Sequence, residues 1–478
     1  MASVKKNYAW NMAFQITRTV IPLILTPYLT RTLGGEGLGI YSYTASIATY
    51  FEILAFMGLD QYGTRQIARS AHDMDQLSQT FCSIFAMQLA WGLLVTGAYL
   101  IYCFYSASAY SLIAFVWSFW VLGEALDVTW LFFGLEEFKL TTIRSVLIRI
   151  ISVVCVFMFV RSEADVWIYC LIMALYYFFT SLSLWPFVIK RIKFALPNIR
   201  QVIKHIKPSV MLFAPTLAIT LYMQLDRILL GVFCDMSEVG YFDQSDKVCQ
   251  MSLSFITALS SVMLPHISRL LESNNEKSAL SAMRNSMMVA NFMSFAFCLG
   301  IIGVAPIFVP VFFGDGFESC VSIMIALAIE IPLVAWRSSM VYQCLIPKGM
   351  DRPYLVSIAA GTVINLVLSI FLIPRLQSIG AAVAMVCTEV VIVAIQVGYL
   401  KAQIPFRLFV RDLLPFVFAG IPMMFIVRYV GSVTGATVFG LLISIVCGAV
   451  SYCILSIICM RAFDGEHLKS MGKGFWLK

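Results

Sequence analysis

Residues 436–460 read ATVFGLLISIVCGAVSYCILSIICM, an apolar run that carries no charge. At about 1.5 Å per helical residue such a run crosses a hydrocarbon core about 30 Å thick, and a helix is the form in which its backbone polar groups bond one another there. Comparable runs recur toward the N-terminus. Cutting the chain at polar or Gly/Pro-rich breaks predicts spans at 9–32, 38–58, 80–104, 109–133, 142–160, 166–189, 208–233, 244–268, 285–312, 319–345, 353–373, 379–400, 412–430 and 436–460. The expected fold is therefore an all-α integral membrane protein with about fourteen transmembrane helices.

Composition agrees. Of 478 residues 60% are hydrophobic and 12% charged, against about 25% charged in a soluble domain. The net charge of +7 is spread over short segments between spans, where it sets topology and leaves no basic face for nucleic acid. With the N-terminus in the cytoplasm, the inner segments hold 24 Lys and Arg, six of them in 190–207, and the outer segments hold five: Arg31, Arg161, Lys247, Arg375 and Arg428. That asymmetry supports both the span count and cytoplasmic termini, because one missed helix would scramble it. The basic segment before the first run is followed by no A-x-A site and reads as a retained first helix. The 13 Cys lie mostly in apolar runs as small hydrophobes, and the four His build no metal-ligand spacing.

An internal echo divides the chain. Residues 31–41, RTLGGEGLGIY, and 227–242, RILLGVFCDMSEVGYF, each place an Arg, a glycine a few residues on and then a Gly-Tyr-bearing helix start. A repeat of about 200 residues with an even helix count predicts two parallel six-helix lobes, 1–200 and 201–405, with a substrate site between them, and 406–478 as two appended helices.

Charge inside a span is costly and must face a partner, the bundle interior or a wet cavity. Helix 1 lines one face with Asn7, Asn11, Gln15 and Arg18. Helix 8 does the same with Asp243, Asp246, Gln250, Ser254, Thr257 and Ser261. Helix 2 offers Glu52, helix 4 Glu124 and Asp127, helix 7 Gln224 with the adjacent Asp226 and Arg227, helix 10 Glu330 and Arg337, and helix 12 Glu389 and Gln396. The acids among them either couple transport to an ion gradient or pair with Arg to lock helices together. Arg18 and Arg337, near mid-span with no acid in their own turn, read as ligands. No Walker A, G-x-S-x-G or H-E-x-x-H signature is present. A transporter without intrinsic ATP hydrolysis, cofactor or metal is expected rather than an enzyme.

The opening NMAFQITRTVIPLILTPYLTRTLGGEGLGIYSYTASI, followed by GLDQYGTRQIARS, LDRILLGVF and EVGYFDQSDKV, resembles the polysaccharide transporter family, specifically the Wzx-type flippases of bacterial O-antigen repeat units. The resemblance implies a fold similar to the multidrug and toxin exporters, with two lobes around a central cavity in the bacterial inner membrane. It also implies an oligosaccharide substrate on undecaprenyl pyrophosphate, moved by alternating access on an ion gradient, and neighbours such as an O-antigen polymerase and chain-length regulator. Arg18, Arg31, Arg227 and Arg337 would meet the pyrophosphate, because guanidinium groups replace lost hydration with bidentate, charge-assisted bonds. Asn11, Gln15, Gln224 and Gln250 would meet sugars. A drug or cation exporter of the same fold, a capsule, teichuronic-acid or lipid II flippase, and a membrane glycan polymerase or ligase are the rival expectations. The four intramembrane Arg oppose the first, and outer segments of about ten residues leave a polymerase little room.

Overall fold

The computed structural model describes residues 4–105, 110–273, 275–401, 404 and 406–474, with the side chains of 4–20, 214–216, 218, 222 and 464–474 left out. The described residues fold as helices without strands. They divide into two compact units, Met1–Gly240 and Tyr241–Lys478.

The first unit holds α1 (Val4–Phe56), α2 (Leu59–Ser70), α3 (Met74–Tyr105), α4 (Ser111–Val116), α5 (Ser118–Ala125), α6 (Thr129–Gly134), α7 (Phe138–Phe159), α8 (Val166–Leu182), α9 (Trp185–Ile189) and α10 (Ile199–Phe233). α11 (Met236–Glu272) begins at its end. The second unit continues with α12 (Glu276–Phe312), α13 (Ser319–Ala328), α14 (Glu330–Met340), α15 (Asp351–Leu400), α16 (Phe406–Thr434) and α17 (Val438–Gly474).

Ten of these helical stretches are long and apolar enough to cross a membrane. One of them, α15, would be about 75 Å long if straight, and it breaks at Gln377, where φ is 52°, so it makes two crossings. α1 likewise breaks at Gly34, with φ 65° and ψ −176°, a conformation that glycine adopts without a Cβ penalty. With the two halves of α1 and with α10, the backbone supplies the fourteen helical crossings that the hydropathy pattern predicts.

Aromatic packing organises the first unit around Tyr62, Phe81, Trp130 and Leu131, with the Phe81 and Trp130 rings stacked 5.4 Å apart. α10 packs on this bundle, where Ser209 donates to the carbonyl of Met57 at 2.6 Å and Tyr62 meets His205 at 2.6 Å. The turn between α7 and α8 is closed by Asp165, which accepts from the amides of Arg161 and Ser162, both at 2.9 Å. These bonds, the one from the Arg161 amide first, hold its carboxyl below the usual range. In the second unit Met283, Met287, Met340, Leu345 and Phe409 form one core. Arg284 clamps Asp412 there through two bonds of 2.5 and 2.7 Å, tying α12 to α16. α17 joins the same pair of helices, and Tyr452 donates to the carbonyl of Phe292 at 2.8 Å.

Candidate functional site

The fourth and tenth crossings are not the continuous helices that hydropathy predicts. The fourth breaks after Ala125 and resumes at Thr129, and the tenth breaks between α13 and α14 before a π-turn at Val341–Leu345. A break frees carbonyls that must find donors away from water. Gln88, fully buried on α3, supplies them, donating to the carbonyls of Glu124 at 2.8 Å and Asp127 at 2.7 Å while accepting from the Trp130 indole at 3.0 Å. Trp185 donates to the carbonyl of Leu126 at 3.0 Å.

The second unit repeats part of this device about 205 residues on. Asn291, fully buried on α12, accepts from the Trp336 indole at 2.9 Å, and Glu330 stands at the break in the tenth crossing as Glu124 does at the break in the fourth. The sequence echo is thus carried further by buried polar residues, Gln88 and Asn291, that no motif marks.

The acids of the first unit gather at its break. Glu52 and Glu124 are within electrostatic reach of each other and of Asp127. The Asp127 carboxylate accepts from the amide and hydroxyl of Thr129 at 2.6 and 2.5 Å. Asp226 and Arg227 of α10 act on Tyr50, whose hydroxyl donates to the carbonyl of Leu221 at 3.1 Å. One turn earlier Ser46 donates to Gln224 at 3.0 Å. The second half of α1 and the α10 segment 221–227 therefore form one polar seam. Arg227 donates to the carbonyl of Met223 at 2.9 Å, and the exposed Arg31 donates to that of Pro27 at 2.7 Å. The side chains of Asn11, Gln15 and Arg18 lie outside the described residues.

The two echoing segments meet. A Cβ on Gly39 would stand 1.7 Å from the carbonyl oxygen of Met236, and one on Gly240 would stand 2.1 Å from that of Gly35. Glycine at both positions is what lets these backbones touch.

In the second unit Asp243 and Asp246 are buried, Lys247 pairs with Asp243 at 2.6 Å, and Gln250 donates to Asp246 at 3.1 Å. The polar stripe of helix 8 is therefore closed at its start and open farther on, where Ser254 and Ser261 are exposed. Arg337 bonds Glu389 at 2.7 Å, and Gln396 donates to Ser357 at 3.1 Å. Glu330 is buried. Arg144 is buried near the start of α7, with Nη1 donating to Ser183 at 2.9 Å. The guanidinium of Arg149, also on α7, lies 4.9 Å from the centre of the Tyr176 ring. Among the described residues no group of three or more His, Cys, Asp and Glu is arranged to hold a metal ion.

Comparison with known proteins places this architecture. The pattern of the family described as "Polysaccharide biosynthesis protein" matches residues 4–271, more than half of the chain. The "Putative O-antigen transporter" of Escherichia coli (strain K12) is 22% identical over 407 residues, covering 84% of this chain and 97% of that protein. A solved structure described as "Lipid II flippase MurJ, inward closed conformation" superposes with a TM-score of 0.73 at 14% identity, covering 94% of this chain and 99% of that one. An inward-facing MATE-family multidrug transporter of the MOP superfamily superposes with a TM-score of 0.61 at 14% identity, covering 80% of this chain and 94% of that one. The two superpositions show a shared all-α fold, and the matched pattern shows the lineage: this multi-pass membrane chain belongs to the polysaccharide biosynthesis protein family.

Proposed function

We propose that the protein is a flippase that moves undecaprenyl-pyrophosphate-linked O-antigen, or a related polysaccharide repeat unit, from the cytoplasmic to the periplasmic leaflet of the bacterial inner membrane. The observation that carries this reading is membership of the family, reinforced by the name of the Escherichia coli relative across nearly its whole length. The chemistry agrees, because a pyrophosphate entering a low-dielectric interior needs fixed cations and donors in place of water. Arg31 and Arg227, with Arg18 and Arg337, are assigned to the headgroup, and Asn11, Gln15, Gln224 and Gln250 to the sugars. The polyprenyl tail stays in lipid while the headgroup site is exposed alternately to the two sides.

Glu52, Glu124 and Asp127, drawn together at a helix break, are assigned to ion coupling, with Asp226, Asp246, Glu330 and Glu389 as further coupling or helix-pairing acids. Cytoplasmic termini follow from the basic inner segments, and a polymerase and chain-length regulator would take the flipped unit. The test is mass spectrometry of undecaprenyl-linked glycans, with a gel of surface polysaccharide, in the source strain lacking this gene. Accumulation of one complete lipid-linked unit with loss of surface polymer, reversed by the wild-type gene, is expected. An unchanged surface with no accumulation would overturn the reading and direct attention to drug susceptibility.

A further inference from the structure

At one end of the first unit, α7 and the continuous α8–α9 stretch part around a cavity of about 690 Å³, within the range of about 300–1,000 Å³ that small-ligand sites occupy. It is the end that carries the basic segments 134–144 and 190–207. Its walls differ in kind. Ile143, Leu147 and Phe187 form an apolar side and are themselves exposed on the surface, Leu147 to 55%. The exposed apolar row continues along α7 through Ile150, Ile151 and Val154. The polar side is Arg144, with Ser183 and Lys139.

Arg144 is nine-tenths buried, and its bonding is incomplete. Nη1 donates to Ser183, but Nε, which has no access to solvent, finds no acceptor among the described residues. Asp127 acts on the guanidinium electrostatically, while one of its carboxylate oxygens serves Thr129. Buried N–H groups are rarely left without an acceptor. The two carboxylates at the rim do not fill the role. Glu137 is engaged by Arg191, and Glu136 is exposed beside the equally exposed Lys139. An anionic oxygen attached to an apolar chain satisfies both walls at once.

We propose that this cleft binds an anionic glycerophospholipid of the adjoining leaflet. Its phosphate faces Lys139 and accepts from Arg144, whose guanidinium turns toward the cleft to present the buried Nε, and one acyl chain lies along Ile143, Leu147 and the outward row of α7. The occupant is an anionic lipid rather than a zwitterionic one because the acceptor must be reached by a basic rim whose one nearby ion pair is already closed. Such a site would anchor α7 against the α8–α9 stretch without entering the headgroup seam of α1 and α10.

The experiment uses the full chain in mild detergent, with native mass spectrometry after addition of phosphatidylglycerol or phosphatidylcholine at equal concentration. Wild type should retain phosphatidylglycerol about fivefold better, the gain of one basic side chain acting on an anionic lipid. Leu147→Trp, which fills the apolar wall from an exposed position, should abolish that preference, and Arg144→Gln should equalise the two lipids. If Arg144→Gln fails to fold, Leu147→Trp decides alone. Equal retention of both lipids by wild type, or undiminished phosphatidylglycerol retention by folded Leu147→Trp, would overturn the proposal. So would displacement of the lipid by inorganic phosphate, which would assign the site to a free anion.

Discussion

The guanidinium of Arg337 donates from Nε to Oε2 of Glu389 at 2.7 Å, joining α14 to α15 through an acid that is fully buried and an arginine whose side chain is a quarter exposed. The pair changes how an Arg337 variant must be read. Removing one partner of a buried pair leaves an uncompensated charge, a loss of about 3–5 kcal/mol, somewhat less here because Arg337 reaches solvent. Arg337→Ala should therefore melt well below wild type in detergent. The double variant Arg337→Ala with Glu389→Gln should recover most of that loss, since the orphan charge is gone. Transport then separates structure from function: recovery of surface polymer together with stability would make the pair purely structural, whereas recovered stability without polymer would show that the pair acts in transport itself, through Arg337 at the headgroup or Glu389 in coupling.

The contact of Gly39 with Met236 and Gly240 makes a sharper packing test. An added methyl at Gly39 falls 1.7 Å from a carbonyl oxygen and 3.1 Å from the amide nitrogen of Gly240, so the backbones must separate. Overpacking of this kind costs about 1–3 kcal/mol. Gly39→Ala and Gly240→Ala should each lower the melting temperature. Gly97→Ala and Gly300→Ala, on α3 and α12 with open space around the site, should be neutral or gain up to about 1 kcal/mol from helix propensity. Equal losses at all four positions would show that the close approach is not what glycine serves there.

Hydropathy and basic-segment counts made the fourteen crossings legible, because whether twenty residues can sit in hydrocarbon is a local property of those residues. The reversals at Gly34 and Gln377 were legible too, since polar residues interrupt the apolar pattern there. The breaks in the fourth and tenth crossings were not. The fourth depends on Gln88 and Trp185, 36 or more residues from the carbonyls they satisfy, and in both crossings an apolar sequence reads the same whether its helix is whole or interrupted. Arg337 looked unpartnered because Glu389 is 52 positions away. The echo of 31–41 in 227–242 was visible as a repeat, but only the fold reveals that the two copies touch.

Gln88 and Asn291 occupy corresponding places but carry different loads. Gln88 satisfies two backbone carbonyls and an indole, whereas Asn291 accepts from Trp336. A buried group left without its partner costs about 1–3 kcal/mol. Gln88→Leu should therefore destabilise the protein by several kcal/mol and loosen the break that positions Glu124 and Asp127. Asn291→Leu should cost about as much as one orphaned indole N–H. The two melting temperatures, measured side by side in the same detergent, check the order; an Asn291 variant that melts as low as the Gln88 variant would mean that the break is not held by the bonds named.

Arg227 gives the most direct test of the headgroup assignment, because it belongs to the polar seam and is only half-buried on α10. Its loss should therefore disturb folding far less than loss of Arg337. A charge-assisted hydrogen bond to a phosphate contributes about 1.5–3 kcal/mol, equivalent to roughly a 10- to 150-fold change in affinity. Arg227→Ala, present in the membrane at wild-type levels, should accumulate the lipid-linked unit and make little surface polymer. Arg227→Lys keeps the charge but loses the planar fork that grips two oxygens, so it should give an intermediate polymer level that rises when the gene is overexpressed. Gln224→Leu removes the partner of Ser46 without removing charge and should lower polymer less than Arg227→Ala does. If Arg227→Ala makes normal polymer, the pyrophosphate is held elsewhere, and the exposed Arg31 becomes the next position to test.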